Sequence, residues 1–112
     1  MKIAIPIAEG KLAQHFGHCA QFALLDTDPA THAILSREDV DAPPHQPGLL
    51  PPWLARKGAT VVLAGGMGMR AKALFEEQGI RVIVGVPSEA PEKLAADYLA
   101  GTLQPGENVC DH

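Results

Sequence analysis

Two cysteines and five histidines stand in this chain of 112 residues, and their positions suggest chemistry beyond packing. The segment His15-Phe16-Gly17-His18-Cys19 places three ligand-type side chains within five residues. Imidazole and thiolate suit zinc, copper and iron, and thiolates hold iron–sulfur clusters. Gly17 lets the backbone bend so that neighbouring side chains can converge. The chain ends in Cys110-Asp111-His112, a thiol and an imidazole one residue apart. His45 lies in a Pro-rich connection. Six soft or borderline ligands result: His15, His18, Cys19, His45, Cys110 and His112. They match no zinc finger, because paired CxxC or HxxxH spacing is missing. Ligands scattered in this way suit a site that is loaded and unloaded. Without a metal, Cys19 serves as a small hydrophobe at the head of a strand and the loop histidines are solvated. His32 falls at a turn and is given no role.

A second kind of site is written in Gly65-Gly66-Met67-Gly68-Met69-Arg70-Ala71. Gly66, Gly68 and Ala71 fit G-x-G-x-x-A, but Val84-Gly85-Val86-Pro87 stands where a dinucleotide site needs an acidic residue, and no Gly-Lys-Ser/Thr makes a P-loop. What survives is a helix amino end with free N–H groups and Arg70 in its first turn, able to hold an anion such as a metal–sulfur cluster. Gly65, Gly66, Met67, Gly68 and Arg70 form this candidate turn. Catalysis has little support: there is no Gly-x-Ser-x-Gly elbow and no plausible carboxylate pair, and a Cys19 thiolate beside His15 or His18 is the weakest reading. No enzyme is expected.

The elements that must position these residues follow from hydropathy. Strands are expected at 2–7, 21–26 and about 32–40, with residues 11–19 as a polar loop and the turn formers Thr27-Asp28-Pro29 closing the second strand. The second and third strands should form an antiparallel meander. Pro51-Pro52 opens a short helix in which Leu50, Trp53, Leu54 and Lys57 take helical spacing, stopped by Gly58. Buried strands at 60–64 and 80–84 bracket a helix whose Ala71, Leu74 and Phe75 share a face. Pro91 starts a last helix with Leu94, Ala95, Tyr98 and Leu99 as its stripe, closed by Gly101. Alternating helices and strands imply parallel pairing with right-handed crossovers. The expected fold is a single α/β domain over 1–103, three-layer α/β/α, with a mixed sheet of about five strands. A mobile tail is expected over 104–112.

Composition narrows the function classes. Nine Lys and Arg against thirteen Asp and Glu give a net charge of −4 with no cationic block, which argues against nucleic-acid binding through phosphates. No apolar run reaches the roughly 20 residues of a membrane span, and the first residues lack a signal peptide's pattern. A soluble, cytoplasmic protein is expected. In a reducing compartment the two cysteines read as ligands rather than as a disulfide.

Several of these stretches together resemble a known family. Met1-Lys2-Ile3-Ala4-Ile5-Pro6, His15-Phe16-Gly17, the run from Val61-Val62-Leu63-Ala64 through Gly65-Gly66-Met67-Gly68-Met69-Arg70-Ala71, and Gly79-Ile80-Arg81-Val82 look like the dinitrogenase iron–molybdenum cofactor biosynthesis family, in register over residues 1 to about 103. Asn108-Val109-Cys110-Asp111-His112 resembles the ending of a subgroup of stand-alone members. The resemblance implies a ribonuclease H-like motif with a five-stranded mixed sheet and no ribonuclease activity. It implies a non-enzymatic role in binding, protecting or passing on an iron–sulfur or molybdenum–iron–sulfur cluster, with a cofactor-assembly or acceptor metalloprotein as partner. The family's loop histidine maps onto His15 and its Gly-rich turn onto Gly65, Gly66, Met67 and Gly68. Many members carry Arg after His-Phe-Gly; His18 and Cys19 follow here and enrich the loop in ligands. A metal-independent interaction module and a carrier of a single zinc or copper ion are the alternatives, and a homodimer stays open.

Overall fold

In the chain's first strand, Ile3, Ile5 and Ile7 join one apolar layer and Ala4 joins the other, so the strand must be covered on both faces. The computed structural model describes residues 1–13, 20–28, 30–43 and 48–103. In chain order the elements are β1 (Lys2–Ala8), β2 (Lys11–Leu12), β3 (Gln21–Asp28), β4 (Ala33–Asp41), α1 (Leu50–Arg56), β5 (Val61–Leu63), α2 (Met69–Glu77), β6 (Arg81–Ile83) and α3 (Pro91–Ala100).

The strands run in the order β4-β3-β1-β5-β6, with β2 also paired to β1. β1, β3 and β4 form the antiparallel meander, and β1, β5 and β6 are parallel. This is the mixed sheet and three-layer α/β/α arrangement expected from the sequence. Two details differ. The sheet has a sixth, two-residue strand, β2, inside what reads as the polar loop 11–19. The third long strand extends one residue further than expected, to Asp41. Pro6 is tolerated in a central strand because β5 pairs with β1 only at Ile3 and Ala4. Its carbonyl instead accepts from the Ala13 N–H at 2.8 Å.

One layer joins Leu54 of α1 and Phe75 of α2 to Ala4, Phe22, Leu24, Val62 and Val82. The other joins Leu94 and Ala95 of α3 to Ile3, Ile5, Leu25, Val61 and Leu63. Each fully buried Leu, Ile or Phe in these layers stabilises the fold by about 1.5–3 kcal/mol. Trp53 packs on Phe22 with ring centroids 5.7 Å apart, and Lys57 lies over the indole at 5.4 Å. Lys2 Nζ donates to the Lys57 carbonyl at the end of α1 (3.1 Å), using a cation where the helix dipole is negative. At the same end of the sheet the buried Thr27 hydroxyl donates to the Met1 carbonyl at 2.9 Å.

The outer strand β4 is exposed along most of its length and is held by its ladder to β3. Arg37 reaches from it to Glu92 in the first turn of α3 (2.6 Å) and also binds Asp39 (2.8 Å). Among the described residues no helix is long and apolar enough to cross a membrane.

Candidate functional site

Because β1, β5 and β6 are parallel, their carboxyl ends open onto one edge of the sheet, where α/β folds place ligand sites. β3 starts and β4 ends at that same edge, since Gln21 faces Ile7 on one side and Asp41 on the other. The Ala42 N–H donates to the Ala20 carbonyl at 2.9 Å just beyond those pairs. The chain therefore enters and leaves segment 14–19 at this edge, and enters segment 44–47 there from Pro43.

Beside these anchors lies the glycine turn. The Gly85 N–H donates to the Gly65 carbonyl and the Val86 N–H to the Ala64 carbonyl, both at 3.0 Å, which ties the exits of β5 and β6 together. Gly65 and Gly66 are buried, and Gly68 is the N-cap of α2 at φ −66°, ψ 154°. Gly68 has no side chain to cap that helix, and its first turn holds no acidic residue. The early N–H groups of a helix have no intrahelical acceptor, so an anion finds donors and a favourable dipole here. Arg70 and Met69 are exposed at this end, Met69 to 75%.

Met67 is the buried side chain of the turn. Its side chain is 2% exposed and belongs to the apolar layer with Phe75 and Leu54, so it anchors the turn from below. Gly68 differs from a fingerprint glycine: its φ is negative and a Cβ there would meet no atom within 4 Å. Steric need does not explain glycine at that position.

On the other side of the edge, Glu9 and Gly10 join β1 to β2 with φ of 55° and 80°, the pattern of a type I′ hairpin. Leu12, 1% exposed, is then fixed from three directions. It pairs with Ile7, its N–H donates to the Glu89 carbonyl (3.1 Å), and its carbonyl accepts from Ser88 Oγ (2.7 Å). Sequence reasoning missed this clasp. The Glu-Gly dipeptide between Ala8 and Lys11 was the available hairpin signal; nothing in the sequence marked Ser88.

His15, His18, Cys19, His45, Cys110 and His112 lie outside the described residues, as does the tail 104–112. Leu103, from which that tail continues, follows the carboxyl end of α3, a helix about 15 Å long whose other end adjoins the site at Glu89. His32 sits in the turn between β3 and β4 with φ 62°, at the opposite end of the sheet from the glycine turn. Among the described residues no group of three or more His, Cys, Asp or Glu could hold a metal ion.

Perturbed ionisations also fall away from the glycine turn. Hydrogen bonds donated to the Asp39 and Glu92 carboxylates hold the Arg37 guanidinium protonated well above its ordinary range. The same guanidinium pulls the Glu92 carboxyl down, and Asp97 with Glu89 raises Lys93. The Ala30 N–H lowers Asp28 in the β3–β4 turn. These groups fasten elements and turns; none is poised for proton transfer at the glycine turn.

The fold is shared with solved structures. PH0822 superposes with a TM-score of 0.85 at 29% identity over 94% of each chain. The apo form of the orange protein (ORP) from Desulfovibrio gigas gives 0.73 at 26% identity, over 96% of this chain and 93% of that one. The MJ0327 protein of Methanocaldococcus jannaschii gives 0.73 at 15% identity over 96% of each, a likeness of fold alone. No curated protein matches the sequence. The profile of the family described as dinitrogenase iron-molybdenum cofactor matches residues 1–101. With that span covering nearly the whole chain, the protein belongs to the dinitrogenase iron-molybdenum cofactor family.

Proposed function

We propose that the chain is a non-catalytic accessory protein that binds an iron–sulfur or molybdenum–iron–sulfur cluster as cargo and passes it to a cofactor-assembly or acceptor metalloprotein. One observation carries the reading: the roots of segments 14–19 and 44–47 meet the uncapped amino end of α2 at a single sheet edge. The chemistry of the donors fits such a cargo. His15, His18, Cys19 and His45 would supply soft ligands, while the N–H groups after Gly68 offset the negative charge of a metal–sulfur cluster. Cys110 and His112 would add ligands from the tail. Nine residues beyond Leu103 span at most about 30 Å when extended, enough to return along α3.

Anaerobic reconstitution with iron, sulfide and molybdate, read by absorption and metal analysis, tests the proposal. Wild type should take up metal together with sulfide, and a His15→Ala/Cys19→Ala/Cys110→Ala variant should lose most of it. Unchanged stoichiometry in that variant would sink the assignment of the ligands. A single zinc or copper ion without sulfide would replace the cluster reading by that of an ion carrier. Uptake of no metal would leave a docking module.

A further inference from the structure

We infer that Ser88 is a positioning residue for the ligand-bearing segment 14–19, acting through Leu12; the inference rests on the cluster-binding reading proposed above. Segment 14–19 leaves the described chain at Ala13, and what fixes its root is a small set of bonds. Ala13 N–H donates to the Pro6 carbonyl (2.8 Å), Leu12 N–H to the Glu89 carbonyl (3.1 Å), and Ser88 Oγ to the Leu12 carbonyl (2.7 Å). The last two join Leu12 to the connection between β6 and α3, which makes the root of the segment part of the same edge as Gly65 and Gly85.

β2 has only two residues, too short to hold its place by its ladder alone. The apolar side chain of Leu12 fixes the depth of the strand, since it is buried against the α3 layer. Burial sets no direction for the backbone that follows. The Ser88 hydroxyl shares in setting that direction with the Ala13–Pro6 bond, because it holds the last carbonyl of β2 at 2.7 Å. A ligand loop held at its root loses less freedom on binding, so cargo is retained more tightly.

The test compares Ser88→Ala, Ser88→Thr and Thr27→Val. Thr27 is the control because its hydroxyl also donates to a backbone carbonyl, at 2.9 Å, but at the far end of the sheet. In cargo-free protein, Ser88→Ala should speed hydrogen exchange at the Leu12 and Ala13 amides by about threefold to tenfold, while Thr27→Val leaves those amides unchanged. After reconstitution with iron(II) and sulfide, Ser88→Ala should release iron to a chelator about threefold to tenfold faster than wild type. Ser88→Thr, which keeps the hydroxyl, should restore both readouts, and Thr27→Val should release iron as wild type does. Equal exchange and equal release in wild type and Ser88→Ala would overturn the inference. So would parallel losses in Ser88→Ala and Thr27→Val, which would make the bond a matter of general stability. Failure of wild type to take up iron and sulfide would instead overturn the cluster reading, and this inference with it.

Discussion

Replacing Gly68 by Asp should move stability and cargo binding in opposite directions. The N-cap has the extended backbone that capping residues adopt, and a Cβ there meets no atom within 4 Å, so the new side chain enters without strain. Three gains bear on stability. A carboxylate that accepts from the early N–H groups is worth a few tenths of a kcal/mol over glycine. Removing glycine's freedom in the unfolded chain contributes about 0.4–1 kcal/mol. A negative charge at the helix amino end, where the first turn has no acidic residue, contributes about 0.3–1 kcal/mol. Because these overlap, the net gain is about 0.5–1 kcal/mol, or about 2–4 °C in Tm for a chain of this size. The same carboxylate would occupy the donors proposed for the cargo and repel its charge; like unit charges about 6 Å apart illustrate the size. At an effective dielectric of about 20 that repulsion is about 3 kcal/mol, of which salt should leave at least about tenfold in affinity. Gly68→Ala brings the entropy gain without the charge and should leave retention within about twofold of wild type. Thermal unfolding of cargo-free protein and iron release to a chelator from reconstituted protein are the assays. A stabilised Gly68→Asp that keeps iron and sulfide as wild type does would refute the role given to the amino end of α2.

Phe75→Ala should remove the keystone of the layer under α1 and α2 and cost about 3–5 kcal/mol, measured as a lower urea midpoint, since Phe75 is fully buried. Glu92 contributes to stability through its depressed ionisation: the contribution is complete above its ordinary value of 4.5 and fades as the pH falls through the lowered one. Arg37→Ala should therefore destabilise by about 0.5 kcal/mol at neutral pH, with the difference closing in acid, as read from Tm across pH. Glu9→Asn should raise stability by about 0.5–1 kcal/mol in thermal unfolding, because Asn tolerates the positive φ of 55° better than Glu.

The long elements were legible because their signals were periodic or punctuated. Ile3, Ile5 and Ile7 alternate, Val61-Val62-Leu63 runs apolar between two covering layers, and Pro91 and Gly101 bracket the last helix. The hairpin was not legible: its strand is two residues long, and Glu9 occupies a left-handed position where Asn or Gly gives the usual cue. Met67 was legible only as a choice between two places. A thioether beside glycines reads equally as a lip residue or a core residue, and only the packing of α2 on Leu54 and Phe75 decides it. For the candidate site, residue types could be read directly, but their convergence could not. Segments 14–19 and 44–47 lie far apart in sequence, and it is the antiparallel register of β3 against β1 and β4 that roots both at one edge.

The double-sided sheet has a consequence for descent. Among the described residues, both apolar layers are built from strands and helices and their flanks. Substitution, lengthening or exchange of the segments rooted at the carboxyl edge therefore leaves the folding determinants intact. Selection can retune cargo preference in one lineage, or abandon cargo in another, while the scaffold is inherited unchanged. Structures with 15% and 29% identity to this chain keep the same fold, as such a division between scaffold and edge predicts.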